Sequence, residues 1–292
     1  MNIYISKDIP YVEDGDVDQK LDIYYDKNSL VEGKHVIIYI HGGYWCEGDK
    51  NEDEKIGRLF QKQGYVAVLP NYRLYPKVQN MDDMIQDIYT MIQWTNNNIE
   101  QYGGETRYMT LIGFNAGAYL ASITLLKSTL KSVVNGVNLH SQVKFKHLIL
   151  LNSPYTFEED DQLLSKLKTM RSTAKLSPNL KYLEKYADAK EALIIGKNNV
   201  DEVDILKEQK DESIYSLGAD KITFIECDND TNYPIGASQE MMDEVKRVIF
   251  DIEIVKQVYH GNYDYIINGI KTYDEEIIYS FLRLIHSSYE VL

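Results

Sequence analysis

Two glycine-containing motifs in this sequence follow apolar runs and could present backbone N–H groups to an anion. The first, H-G-G-Y-W at residues 41–45, comes directly after the run H-V-I-I-Y-I. Two glycines allow the backbone to turn sharply as it leaves a strand, and without a Cβ an anion can approach the N–H groups closely. In hydrolases such a loop forms an oxyanion hole, in which each donor stabilises the transition state by roughly 3 to 4 kcal/mol. Residues 41–45 are called here the oxyanion loop.

The second motif, G-F-N-A-G at residues 113–117, stands between an apolar strand-like run and an apolar helix-like run. Hydrolases expose a serine nucleophile on a glycine-flanked turn of this kind, and the oxyanion loop precedes that turn along the chain. Here the central residue is Asn115, whose amide has no ionisable proton and is a poor nucleophile. The two motifs together predict the framework of a lipase or esterase site with an altered nucleophile.

The chain resembles, over nearly its whole length, the α/β-hydrolases of the group that includes hormone-sensitive-lipase-like carboxylesterases, kynurenine formamidases and isoprenylcysteine methylesterases. Five strings carry the resemblance: L-D-I-Y-Y, H-G-G-Y-W-C-E-G-D-K, P-N-Y-R-L-Y-P, W-T-N-N-N-I-E-Q-Y-G-G and G-F-N-A-G-A. It implies an α/β-hydrolase fold, with a mainly parallel central sheet, helices on both faces and a small cap insertion. It also implies backbone oxyanion donors at Gly42, Gly43 and Ala116.

Carried over by position, the catalytic triad of that group falls on Asn115, Asp230 and Asp264. The acid position is Asp230 in C-D-N-D-T-N-Y-P, with Asp228 as the alternative register, and the histidine position is Asp264 in G-N-Y-D-Y. An Asp side chain has an ordinary pKa of about 4, so it is usually charged rather than poised near neutrality as a base. Loss of the Ser or the His of a triad costs on the order of 10⁶ in turnover.

The resemblance and the two replacements predict a catalytically inactive hydrolase fold that keeps its pocket and binds a small ester-like or acid-like molecule, or a protein. The alternative is an active carboxylesterase or amidase that hydrolyses a small carboxylic ester or amide by an altered mechanism. No cofactor is expected for either function. Tyr44 and Trp45 belong to a group of aromatic residues expected at the same end of the sheet, where they would line a ligand pocket or simply pack.

Other residues near this end of the sheet could replace the missing groups. His260 lies four positions before Asp264 and could turn its ring into the pocket as a substitute base. Ser153 follows another strand-like run, but the next residue is proline, which favours a structural loop. Cys46 and Cys227 could supply a thiol nucleophile or a redox pair, although small buried thiols are the commoner arrangement.

A metal site is not expected from this sequence. Glu47, Asp49, Asp230 and Asp264 are carboxylates predicted at the carboxyl end of the sheet, yet no His or Cys stands at ligand spacing beside them. Two cysteines also exclude a disulfide framework.

Short β-branched-rich runs alternate with helical patterns from about Leu21 onward. Such alternation predicts a mainly parallel sheet with helices on both faces. The pattern weakens over residues 154–217, which we interpret as a cap-like insertion into a single domain formed by residues 1–292. A strand at K-I-T-F-I-E-C, a helix, a last strand and a closing helix then complete the expected fold.

Charge and hydropathy limit the classes of partner. The chain has 31 basic and 45 acidic residues and a formal charge of −14, which would repel nucleic acid backbones and anionic lipid headgroups. We therefore expect neither nucleic acid nor membrane partners. No stretch reaches the roughly 18 apolar residues of a membrane span, and the beginning lacks the apolar core of a signal peptide. A cytoplasmic location is the resulting expectation.

Overall fold

The centre of the described chain is one eight-stranded sheet. This computed structural model describes residues 3–30, 33–140, 143–155, 201–233 and 235–286. The strands are β1 (Ile3–Pro10), β2 (Lys20–Asp26), β3 (Lys34–Ile40), β4 (Val66–Pro70), β5 (Gly104–Phe114), β6 (Val133–Val134), β7 (Val137–Asn138), β8 (His147–Leu151), β9 (Lys221–Cys227) and β10 (Glu253–Tyr259). β6 and β7 form a separate short hairpin, and the other strands lie in the order β1-β2-β4-β3-β5-β8-β9-β10. Every neighbouring pair from β4 to β10 is parallel, whereas β1 and β2 join the edge in antiparallel pairs.

Helices cover both faces of this sheet. They are α1 (Glu54–Lys62), α2 (Met81–Asn98), α3 (Ala116–Thr129), α4 (Glu202–Lys207), α5 (Gln239–Val248), α6 (Tyr265–Thr272) and α7 (Glu275–His286). Buried residues of α2, α3 and α5 form one apolar core with the sheet, and those of α1, α6 and α7 form a second core on the opposite face. Strands buried on both sides are almost entirely apolar, as the four residues L-I-L-L that follow His147 in β8 illustrate.

The carboxyl ends of the parallel strands bring the predicted site residues to one edge of the sheet. Residues 41–45 follow β3, Asn115 follows β5, Asp230 comes shortly after β9 and Asp264 shortly after β10. Since β3 and β5 are hydrogen-bonded neighbours, the oxyanion loop and the Asn115 turn lie side by side. Ligand sites of open α/β sheets form beyond these carboxyl ends.

The predicted parallel sheet with helices on both faces is confirmed, and so are the strands expected within it. The strands β1, β6 and β7 and the helix α6 were not predicted. In β1 the register shifts between Ser6 and Ile9, where Asp8 has a φ of 56°, so its side-chain alternation is interrupted and the pattern is hard to recognise.

The predicted cap insertion at 154–217 falls largely outside the described residues, because 156–200 are not among them. Its described C-terminal part contains α4, which begins after the N-cap Asp201. None of the helices in the described part of the chain is long and apolar enough to cross a membrane.

Candidate functional site

The turn at Asn115 has the backbone geometry of a nucleophile elbow. Asn115 has φ 52° and ψ −118°, a conformation that an L-residue adopts only at an energetic cost and that occurs mainly at functional sites. Glycines on both sides make the turn possible. A Cβ at Gly117 would lie 2.3 Å from the carbonyl oxygen of Ile40, and one at Gly113 would lie 2.4 Å from the Cα of Ala118. The chain therefore keeps the strained strand-to-helix turn that exposes a nucleophile in hydrolases.

Both ends of the Asn115 side-chain amide are hydrogen-bonded within the protein. The backbone N–H of Tyr44 donates to Oδ1 at 3.1 Å, and Nδ2 donates to the hydroxyl of Tyr233 at 3.3 Å. Asn115 is only 1% exposed. The amide oxygen thus accepts a hydrogen bond from a backbone N–H of the loop at residues 41–45, the predicted oxyanion loop.

The oxyanion loop needs its glycines for close packing. Gly43 has a φ of 114°, and a Cβ there would lie 1.9 Å from the carbonyl oxygen of Glu47. A Cβ at Gly42 would lie 3.0 Å from the Cβ of Asn115. The loop N–H that bonds Asn115 belongs to Tyr44, a residue that the sequence singles out for its aromatic ring. Donation to a ligand from Gly42, Gly43 and Ala116 stays a prediction.

The two aromatic residues of this loop occupy different environments. Trp45 is fully buried and packs edge-on against Tyr119, with ring centroids 5.8 Å apart. Its ring lies in the apolar core, so contact with a ligand would require movement of that core. The Tyr44 hydroxyl accepts a hydrogen bond from Asn232 Nδ2 at 2.8 Å, which joins the oxyanion loop to the loop after β9.

Asp230, at the predicted acid position, organises the loop that contacts Asn115. Its Oδ1 accepts the backbone N–H groups of Asn232 and Tyr233 at 2.7 and 3.0 Å, and its Oδ2 accepts Asn152 Nδ2 at 2.9 Å. The same Tyr233 accepts the hydrogen bond from the Asn115 amide. Asp230 and Asn115 are therefore connected through one tyrosine, and the carboxylate is satisfied by neutral donors.

Asp264, at the predicted histidine position, immediately precedes α6 and lines a cavity of about 300 Å³ together with Gly42 and Gly43. Its Oδ1 is buried and has no hydrogen-bond partner in the described part of the protein. The structure thus brings the base position and the oxyanion loop to one cavity. The placement of Asp264 at the histidine position of the triad, within reach of Asn115, stays a prediction.

None of the histidines takes the base position beside Asn115, and all six lie among the described residues. The hydrogen bonds of Asn115 go to a backbone N–H and a tyrosine, not to an imidazole. His41 is buried, stacks on Tyr72 and donates from Nδ1 to the carbonyl oxygen of Gly42 at 2.7 Å. Burial lowers the pKa of His41, so its ring is neutral near pH 7.

His260 does not turn into the pocket as the substitute base that the sequence allowed. Its side chain is 86% exposed, and Nδ1 lies 2.8 Å from Asp228 Oδ2. Asp228, the alternative register for the acid, thus belongs to a surface ion pair. The hydrogen bond that His260 donates to the Asp228 carboxylate raises the pKa of His260 above its ordinary value.

This surface pair predicts a pH effect that NMR can measure. We expect histidine titration to give a pKa for His260 above about 6.5, and the Asp228→Asn variant to bring it back toward that value. Because the folded-state pKa is raised, any stabilisation from the pair is complete below the unfolded value and disappears as pH rises through the folded one. A His260 pKa that is insensitive to Asp228→Asn would contradict the pairing.

The remaining candidate nucleophiles are unsuited to attack. Cys46 and Cys227 are buried and form no disulfide. Burial raises the pKa of Cys227 to about 11, so its thiol is protonated near neutral pH. Ser153 is buried and donates to the neighbouring Pro154 carbonyl at 3.0 Å. Within the described ranges, no group of three or more His, Cys, Asp or Glu side chains is arranged to hold a metal ion.

Comparison with known proteins places these features in a family. The model of the BD-FAE family matches residues 21–244. The chain belongs to the BD-FAE family. The match to BD-FAE includes β2, the oxyanion loop, the Asn115 elbow and Asp230, and it ends before β10 and Asp264.

Curated relatives of this BD-FAE chain carry esterase names. A probable isoprenylcysteine alpha-carbonyl methylesterase ICMEL1 from Oryza sativa subsp. japonica is 33% identical over 119 residues, which are 40% of this chain and 27% of the relative. The protein of the same name from Arabidopsis thaliana is 30% identical over 134 residues, 46% of this chain and 27% of the relative. The matched region thus spans about a quarter of the length of these relatives.

Solved structures extend the likeness to nearly the whole BD-FAE chain. Esterase B from Lactobacillus rhamnosis matches with a TM-score of 0.70 at 20% identity, covering 98% of this chain and 87% of that one. A hyperthermophilic esterase from the archaeon Pyrobaculum calidifontis matches with a TM-score of 0.68 at 15% identity, covering 97% and 85%. The predicted α/β-hydrolase fold is thereby confirmed, and the chain is an esterase-like member of that group.

Proposed function

We propose that this BD-FAE chain is a catalytically inactive relative of esterases, which binds a small molecule beyond the carboxyl ends of the strands without hydrolysing it. One observation carries the proposal: the residue on the nucleophile elbow is Asn115, and its side-chain amide is hydrogen-bonded at both ends inside the protein. A neutral amide cannot be activated by proton removal near pH 7, as a serine hydroxyl is when an imidazole accepts its proton.

The contact with the oxyanion loop argues further against hydrolysis. A substrate carbonyl oxygen would have to displace Asn115 Oδ1 before it could accept the Tyr44 N–H. An oxyanion-hole donor stabilises the transition state by roughly 3 to 4 kcal/mol only when it is free and already oriented toward the developing charge. Here the Tyr44 N–H already donates to Asn115 Oδ1. A substrate must first break that hydrogen bond, which reduces the stabilisation that this N–H can give to the transition state.

The active esterase or amidase remains the alternative function. The esterase names of the relatives and the retained backbone strain at Asn115 favour it, because such strain usually persists where it serves a function. Under that alternative Asn115 or Asp264 would take part in an altered mechanism. The ligand-binding proposal explains the same strain as an inherited turn that now positions an amide.

Hydrolysis of p-nitrophenyl acetate and p-nitrophenyl butyrate tests the proposal. The purified native chain is expected to release p-nitrophenol no faster than the Asn115→Ala variant does at the same concentration in the same buffer. Turnover by the native chain that disappears in Asn115→Ala or Asp264→Ala would establish the alternative.

A further inference from the structure

The last strand, β10, is an edge of the central sheet. In the described part of the chain it pairs with β9 alone, through consecutive parallel positions from Glu253 to Tyr259 without a register shift. The other edge strand, β1, has a register shift near Asp8 and ends at Pro10. Bulges and prolines protect sheet edges from pairing with another strand. β10 contains neither, so its free side, called here the β10 edge, is a regular template for a further strand.

Alternate residues of β10 direct their backbone groups away from β9. The Asp228 N–H donates to the Tyr259 carbonyl oxygen at 3.0 Å, which continues the ladder between β9 and β10. In a parallel pair, successive residues direct their N–H and C=O groups alternately toward and away from the neighbouring strand. Since Tyr259 faces β9, the N–H and C=O groups of Ile254, Lys256 and Val258 face outward. The β10 edge therefore offers donors and acceptors in alternation to a second strand.

The charges of β10 are already paired within the chain. Lys256 Nζ lies 2.9 Å from Glu226 Oε2, and Glu253 Oε1 lies 2.8 Å from Lys221 Nζ. Charged side chains, lysine above all, normally keep an edge strand from pairing. Here each of them has a partner of opposite charge on β9, so the β10 edge is neutral although the whole chain carries a formal charge of −14. A neutral edge lowers the repulsion between two copies of this chain.

The sequence of β10 is complementary to itself about Val255. With a two-fold axis at this residue, perpendicular to the sheet, Val255 lies opposite its own copy. Ile254 then lies opposite Lys256 of the second copy, and their outward groups can exchange both N–H···O=C hydrogen bonds, twice by symmetry. Glu253 lies opposite Gln257, so this register opposes no like charges. An axis at Lys256 would instead place two lysines opposite each other, which is unfavourable.

Exposed apolar side chains lie near both ends of β10. Phe250, shortly before the strand, is 78% exposed, and Val258, near its end, is 39% exposed. An antiparallel pair about Val255 places Val258 opposite Ile252 of the other copy and brings Phe250 of that copy toward it. Apolar surface that is exposed in a single chain is thereby covered in the pair, which favours association.

We propose that two copies of this chain associate through the β10 edge, antiparallel about a two-fold axis at Val255, and so join their sheets into one. The interface is isologous, because both copies use the same surface. The strands of the two copies run in opposite directions, so the two candidate sites lie at opposite ends of the joined sheet and both stay open. The inference is independent of whether Asn115 takes part in hydrolysis.

Sedimentation velocity of the full chain over a dilution series tests this association. We expect a species with twice the mass of one chain, which dissociates on dilution. Val255→Glu places two carboxylates opposite each other at the axis and should weaken dimerisation at least about tenfold. Val17→Glu makes the same change at a residue that is 69% exposed and lies outside β10, and should leave the dissociation constant unchanged. A native chain that is monomeric at every concentration, or equal effects of the two variants, would overturn the proposal.

A cysteine at the axis locates the interface even if Val255→Glu fails to fold. In the proposed register Val255 belongs to a non-hydrogen-bonded antiparallel pair, whose Cα atoms are about 4.5 Å apart, close enough for a disulfide. Val255→Cys, oxidised with copper phenanthroline, is therefore expected to give a disulfide-linked dimer on a non-reducing gel. Gln257→Cys is the control, since its two copies lie several residues apart, and the native Cys46 and Cys227 are buried. Equal crosslinking of both variants, of neither, or of Gln257→Cys alone would contradict the proposed interface.

Discussion

The Asn115→Ser, Asp264→His double variant is expected to hydrolyse p-nitrophenyl butyrate at least about a hundredfold faster than the native chain. Loss of either the Ser or the His of a triad costs on the order of 10⁶ in turnover, so restoring both need recover only a small part of that factor. The elbow keeps its strained geometry, Asp230 is in place after β9, and serine in place of Asn115 releases the Tyr44 N–H for an oxyanion.

Single variants are the matched controls for this gain of activity. Asn115→Ser alone has a nucleophile without a base, and Asp264→His alone has a base without a nucleophile, so each should stay within about tenfold of the native rate. A folded double variant no faster than the single ones would contradict the assignment of Asp264 to the histidine position. Asp230→Asn in the active double variant should then lower turnover, since the acid orients the histidine.

Lys50→Met is expected to lower the free energy of unfolding by about 3 to 5 kcal/mol, the usual cost of leaving one buried charge without its partner. Lys50 Nζ lies 2.7 Å from Asp22 Oδ1, and both side chains are almost completely buried. The pair joins β2 to the segment that follows the oxyanion loop. It therefore ties the L-D-I-Y-Y segment to the H-G-G-Y-W-C-E-G-D-K segment in the fold.

Urea unfolding measures this effect, and Lys7→Met is the matched control. Lys7 is bonded to Glu54 at 3.0 Å in an exposed pair, and its loss should cost less than about 1 kcal/mol for the same change in net charge. Replacing both partners, in Lys50→Met with Asp22→Leu, should recover much of the stability, because the double change leaves no buried charge between this pair. Equal losses for Lys50→Met and Lys7→Met would show that burial of the Lys50–Asp22 pair does not matter for stability.

Periodicity and glycine placement were sufficient to predict the central strands and most helices. Apolar runs such as that of β8 are short and rich in β-branched or leucine residues, and the glycines at 42, 43, 113 and 117 mark places where backbones approach closely. The carboxyl ends of parallel strands meet at one edge, so the predicted site residues were expected there together. The edge strand β1 was missed because a bulge interrupts its alternation.

The sequence alone does not predict which side chains are hydrogen-bonded to one another. His260 and Asp264 are four residues apart, so the sequence allows either the His260 imidazole or the Asp264 carboxylate to enter the pocket. Only the fold shows that His260 is exposed to solvent and pairs with Asp228. Likewise, a motif can place Asn115 on the elbow but cannot show that its amide bonds Tyr44 and Tyr233. These contacts depend on three loops that are far apart along the chain.

The ratio of ester turnover by the native chain to that by Asn115→Ala distinguishes an inactive elbow from a catalytic one. Both proteins are assayed with p-nitrophenyl butyrate at equal concentration. Unfolding curves recorded beforehand must show that both proteins are folded under the assay conditions. A ratio of one is expected, because Asn115 takes no part in chemistry under the proposed function. A native rate well above that of Asn115→Ala would show that the elbow still catalyses hydrolysis and would overturn the proposed inactivity.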